Sequence, residues 1–180
     1  IAGLSGMTDV LGLLRESVEA FNAFRRTHPD VPVDLTGVDL SGLTLPGADF
    51  RGVTLFEANL AWADLAGARF DGADLRRSTL EGSILTGATF DTARMDYANL
   101  RSTRLRGATL RQVELRWATC QHADLRDAVL DGANLRRVVF SDGDLTGASF
   151  KNANFAEADL RWTTYRIEEI ESDLDGACLR

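Results

Sequence analysis

Two cysteines and two histidines, Cys120, Cys178, His28 and His122, are the residues of this 180-residue chain best suited to hold a metal or to form a nucleophile–base pair. No two of them stand at a spacing used by zinc ligands. No histidine is set beside a nucleophile, and no glycine-rich phosphate loop leads into a helix. Aspartate and asparagine recur along the whole chain, but they recur where turns need them, which is no sign of acid–base chemistry. The sequence therefore predicts no catalysis, no metal and no cofactor. Two cysteines make no disulfide framework, and a reducing cytoplasm fits them best. The chemistry that remains is binding, by tryptophan, tyrosine and arginine.

The elements that must position those residues are set by a repeat, and the period is five. From Leu35 to Tyr165 every fifth residue is Leu, Phe, Met, Cys or Tyr, 27 centres without a slip. The residue two before each centre is small or β-branched, with Leu43 the one exception. The residue just before the centre favours Asp, Asn and Thr, and the residue two after it is Gly in 11 of the 27 repeats. Five matches neither the period of a helix nor that of a simple strand. It fits a chain that turns a corner after each short extended segment, with glycine supplying the positive φ. A large apolar residue at every fifth position is enough to bury a core, which excludes a disordered low-complexity chain.

Runs such as Ala58-Asn59-Leu60, Ala63-Asp64-Leu65, Ala98-Asn99-Leu100 and Ala133-Asn134-Leu135 resemble the A-(D/N)-L-x-x signature of pentapeptide-repeat proteins. The resemblance covers residues 33–165. It implies an all-β solenoid, a right-handed quadrilateral β-helix with four repeats and 20 residues per coil. With 27 repeats the rod would have nearly seven coils and a length of roughly 30 Å.

Stacking at 20-residue intervals predicts columns. Centres 50, 70, 90, 110, 130 and 150 share a face, and Phe50, Phe70, Phe90 and Phe150 would form an internal aromatic ladder. An outward column holds Glu57, Arg77, Tyr97, Trp117, Arg137 and Glu157. Tyr97 and Trp117 would be neighbours between two arginines. With Arg116 beside them, Arg77, Tyr97, Trp117 and Arg137 form the candidate partner-contact patch, because exposed Trp, Tyr and Arg most often anchor interfaces. Trp62 and Trp162 fall on another corner. Arg94, Arg101, Arg104, Arg106, Arg111 and Arg116 form a basic girdle that points to all sides, whereas nucleic-acid binding wants one coherent basic surface.

An open solenoid end exposes core and strand edges and needs a cap. Residues 1–32 are read as an N-terminal segment with one capping helix over residues 8–28, followed by the repeats at 33–166. Ile1 to Met7 lacks a leading basic stretch and makes a poor signal peptide, and Met7 is a candidate start. Residues 167–180 are read as an acidic cap with a short helix near 166–174. Ile167, Ile170 and Leu174 on that helix are a candidate homodimer element. No apolar run is long enough to span a membrane.

The expected function is non-enzymatic: a binding or scaffold rod acting through protein–protein contact. The resemblance offers an alternative, since some pentapeptide-repeat proteins imitate duplex DNA and protect DNA gyrase. That role needs ordered negative charge. Residues 34–166 carry 18 acids against 16 bases, whereas the last 14 residues carry five acids and one base. The surplus acid sits in the tail.

Overall fold

The computed structural model describes residues 9–164 and 177–178. The candidate C-terminal helix and its residues Ile167, Ile170 and Leu174 lie outside the described residues, as do residues 1–8.

Residues 34–164 form a four-sided parallel β-solenoid. Bridges join every fifth residue to the residue 20 further on, from Asp34–Thr54 without interruption to Asp144–Thr164. Within each five-residue unit the centre and the residue two before it point inward, and the residue between them carries the bridge. This is the strand alternation of inward and outward side chains, cut to three residues. The centres and the small residues before them, Ala48, Ala58, Ala63 and their equivalents, fill one continuous core.

At every described corner the small residue's N–H donates back to the preceding centre's carbonyl, as in Ala63 to Leu60 at 3.2 Å and Ala73 to Phe70 at 2.9 Å, or the corner is held in the same left-handed backbone. The second corner residue has φ near +60° throughout, from Gly37 to Trp162. These are the features of a type II turn, which favours glycine at that position. Non-glycine residues also occupy it, including Tyr97 at φ 61° and Trp117 at φ 57°.

The backbone ladder explains the aspartates and asparagines. The centre N–H, the second corner N–H and the bridging N–H each find a carbonyl in an adjacent coil, as with Leu60, Trp62 and Asn59. The first corner N–H finds none among the described residues. An Asp or Asn just before the centre takes it: Asn59 accepts from Ala61 at 3.1 Å, Asp64 from Ala66 at 3.1 Å and Asn154 from Ala156 at 2.9 Å. On the corner after Phe50, Phe70 and Phe90 the residue before the centre is often Arg, Thr, Val or Ser, and a second device appears. There Asp71 accepts from the Asp91 N–H one coil on, Asp91 from Arg111, and Asp131 from Lys151.

Phe50, Phe70 and Phe90 stack at 5.0 and 4.8 Å with nearly parallel rings. Leu110 and Leu130 interrupt the ladder, and Phe150 meets Phe155 edge-on at 5.0 Å. At the N-terminal end Phe21 joins the stack, 5.3 Å from Phe50. Phe21 belongs to a cap of two helices, where the spacing predicts one: α1 spans Val10–Glu16 and α2 spans Val18–Thr27. Ser17 divides them. Its backbone is extended, and its Oγ accepts the Ala20 N–H as the N-cap of α2. No helix among the described residues is long and apolar enough to cross a membrane.

Candidate functional site

The corner that follows the Leu35, Leu55 and Leu75 column carries the candidate patch. Because each corner repeats the same backbone, side chains at one position stack coil upon coil, about 4.8 Å apart. Tyr97 and Trp117 lie face to face, with ring centroids 5.2 Å apart and planes 3° from parallel. The Arg137 guanidinium sits 5.5 Å from the Trp117 centroid on the side away from Tyr97. Tyr97 is 54% exposed and Trp117 38% exposed.

The flanking charges are paired. Arg137 binds Glu157 at 2.6 Å, and Arg136 reaches the same carboxylate at 2.7 Å. Hydrogen bonds from Arg136 and then Arg137 hold the Glu157 carboxyl below its ordinary range. Arg116 donates a two-pronged bond to Asp96, at 3.1 Å through Nε and 2.7 Å through Nη2, and this hydrogen bonding to the Asp96 carboxylate raises its pKa. Arg77 meets Glu57 at 3.5 Å with both side chains largely in solvent, a contact of little energetic weight.

The structure thus brings Tyr97, Trp117 and Arg137 into one stack, with Arg116 and Arg77 alongside, each facing its own carboxylate. It adds a parallel column that sequence reasoning missed, one residue earlier in each repeat: Phe56, Arg76, Asp96, Arg116 and Arg136. Arg76 lies 5.5 Å above the Phe56 ring and binds Asp74 at 2.6 Å. Between the two columns is a shallow depression of about 340 Å³, lined by Phe56, Arg76, Arg77, Asp96 and Tyr97. The 20-residue offset would have revealed this column had it been applied to both corner positions.

Four of the six girdle arginines face carboxylates: Arg94 meets Asp74 at 3.6 Å, Arg106 meets Asp127 at 3.3 Å, Arg111 meets Asp91 at 3.3 Å, and Arg116 meets Asp96. Arg101 donates to the uncharged Gln121 Oε1 at 2.6 Å, and Arg104 has no ion pair among the described residues. Elsewhere a D-x-R unit closes on itself. Asp74, Asp124 and Asp159 each accept two bonds from the arginine two residues on.

Trp62 stands at another corner, 67% exposed, with its ring over Gly82. Trp162 occupies the same column five coils away. Among the described residues no group of His, Cys, Asp and Glu is placed to hold a metal ion. Cys120 fills a core centre, where burial pushes its thiol up to about 12, and His28 stacks on Phe24 at 4.8 Å.

Several solved structures resemble the chain. HetL, described as involved in heterocyst differentiation regulation, from the cyanobacterium Nostoc sp. strain PCC 7120, is 24% identical, with 88% of this chain and 91% of that chain covered and a TM-score of 0.30. Rfr23 from the cyanobacterium Cyanothece 51142 is 23% identical, with 81% and 97% covered and a TM-score of 0.45. QnrB1, described as a plasmid-mediated fluoroquinolone resistance protein, is 20% identical, with 83% and 93% covered and a TM-score of 0.30. No curated protein matches. The sequence profile described as "Pentapeptide repeats (8 copies)" matches residues 34–72, 73–112, 114–152 and 133–164. With most of its length matched, and with the 20-residue bridge register already seen, this chain belongs to the pentapeptide-repeat family.

Proposed function

We propose that the rod is a non-catalytic binding module that holds a protein partner along the corner carrying Arg77, Tyr97, Trp117, Arg116 and Arg137. The observation that carries this reading is the stack itself: two exposed aromatic rings in consecutive coils, parallel at 5.2 Å, with Arg137 beyond. Both rings sit on left-handed backbone, which costs roughly 1–2 kcal/mol for a side chain with a Cβ. Stacking offsets part of that cost. The stack is also preorganised, so a partner would meet rings already fixed in place.

Imitation of duplex DNA is the weaker reading. It needs a line of free carboxylates, and on this rod Asp74, Asp91, Asp96, Asp124, Glu157 and Asp159 are bound to arginines. A gyrase supercoiling assay with and without a fluoroquinolone separates the two. The rod is expected neither to inhibit supercoiling nor to rescue the enzyme at micromolar concentration. Capture experiments with Trp117→Ala test the patch directly.

A further inference from the structure

The fold divides the basic girdle into two triads on opposite sides of the rod. Arg94, Arg111 and Arg116 border one side, at its middle or at its corners, and each faces a carboxylate, on Asp74, Asp91 and Asp96 respectively. Arg101, Arg104 and Arg106 border the opposite side within a single coil, and all three are exposed. This second triad is far less neutralised. Arg101 donates to the uncharged amide of Gln121 at 2.6 Å. Arg106 reaches Asp127 at 3.3 Å with both side chains largely in solvent, a pair of little energetic weight. Arg104 has no ion pair among the described residues. It stands at mid-rod, linked through the bridge row to Thr44 at one end and Thr164 at the other, with about 14 Å between it and either.

The coil before this triad supplies an apolar surface. Ile84 is bridged directly to Arg104 and is half-buried. Just ahead of Ile84, exposed Trp62 lays its ring against Gly82. Glu81 on the same coil is drawn toward the preceding side of the rod, where it accepts from the Asn99 amide at 3.1 Å. An apolar ledge thus runs directly into three guanidinium groups, which pair best with carboxylates or phosphates.

The charges along the rod choose between those two. The outward row through Arg104 holds Asp64 on one side of it and Asp124 and Asp144 on the other. A phosphate chain laid along the rod would meet carboxylates before and behind the triad. A short acidic segment lying across the rod would follow the arginine coil alone.

We propose that this side is a second docking surface, for a short acidic segment of a protein partner. Its carboxylates would lie on Arg101, Arg104 and Arg106, and an adjoining apolar side chain on Trp62 and Ile84. The surface is separate from the Tyr97–Trp117 corner, and the proposal stands independently of the function assigned to that corner.

Fluorescence polarisation with the full chain tests it at physiological salt. The probe is a fluorescein-labelled peptide with a leucine followed by a run of glutamates. Its glutamine counterpart and a single-stranded oligothymidylate are the comparisons. Arg101→Gln combined with Arg104→Gln is expected to weaken the acidic peptide at least about tenfold. Arg94→Gln combined with Arg111→Gln removes the same charge from the opposite side and should weaken it less than about twofold, because charges that far away are screened. Trp117→Ala should leave the affinity unchanged. Trp62→Ala should weaken the leucine-bearing peptide at least about threefold and leave a peptide of glutamates alone unaffected. The substituted arginines are exposed, and a melting curve for each variant shows that the rod is intact. No binding of the acidic peptide at millimolar concentration would overturn the proposal. So would equal losses in the two double variants, or a glutamine peptide that binds as tightly. Tighter binding of the oligothymidylate would give the surface to nucleic acid and overturn it as well.

Discussion

The Tyr97 ring lies parallel to the Trp117 indole at 5.2 Å, although 20 residues separate them in sequence. Each sits at the second corner position, where glycine would be unstrained. Their contact and their backbone strain therefore oppose each other, and substitution can separate the two.

Trp117→Ala removes the stack and keeps the strained backbone, so it is expected to lower stability by about 0.5–1.5 kcal/mol. Trp117→Gly removes the stack and the strain together, and its stability should lie within about 0.5 kcal/mol of wild type. Urea unfolding of both variants checks the pair. A glycine variant less stable than the alanine variant would show that the corner is not strained.

Gly82→Ala would bring a Cβ into the Trp62 ring atoms Cε3 and Cζ3, at a residue with φ 66°. A loss of about 1–3 kcal/mol is expected, from the collision and from left-handed backbone together. Trp62→Ala in the same chain should recover the collision part and leave the backbone part. Thermal melts of the single and double variants give the coupling, and strict additivity would mean that the ring does not rest on Gly82.

Ala73 and Ala98 are buried at the small position of their repeats. Ala73→Leu or Ala98→Leu inserts a branched side chain into a packed core and should cost on the order of 1–3 kcal/mol or more. A wild-type melting temperature for either variant would mean that the core is looser than described. Ser83 offers the opposite test. Its Oγ is buried without a hydrogen-bond partner among the described residues, so Ser83→Ala should be neutral or stabilising by up to about 1–2 kcal/mol.

Acid should weaken the rod through its D-x-R units. Hydrogen bonds from Arg76, Arg126 and Arg161 hold Asp74, Asp124 and Asp159 below the ordinary carboxylate pKa, against partial desolvation. For a group whose folded pKa is depressed, the stabilisation is fully present above the unfolded value, about 3.9 for aspartate, and is lost as pH falls through the folded value. Stability from these pairs should thus hold at neutral pH and decline below about pH 4. Asp74→Asn should flatten that decline in a melting-temperature series against pH. An unchanged slope would remove Asp74 from the account.

Much of this was legible in the sequence because the period fixes which residues point inward. Leu60, Phe70 and Ala73 could be placed in the core from spacing alone, and the neighbours Tyr97, Trp117 and Arg137 followed from the 20-residue coil. What spacing does not encode is the direction of a long side chain leaving a corner. Trp62 folds back over Gly82, whereas Trp117 stacks on Tyr97 from an equivalent backbone. The turn at Ser17 was hidden for a related reason: the apolar spacing runs from α1 into α2, and only the Ser17 cap marks the break. The role of Asp and Asn before each centre became specific only when the first corner N–H proved to have no backbone acceptor.

The aromatic edge as a protein-contact surface is tested most directly by capture from an extract of the cells that make the protein. Wild type, Trp117→Ala and Trp162→Ala are immobilised in parallel, the last being a more exposed tryptophan on a different corner. Partners should be retained by wild type and by Trp162→Ala, and should fall at least about tenfold with Trp117→Ala, as for the loss of an interface anchor. The same proteins held in undiminished amount by Trp117→Ala would contradict it.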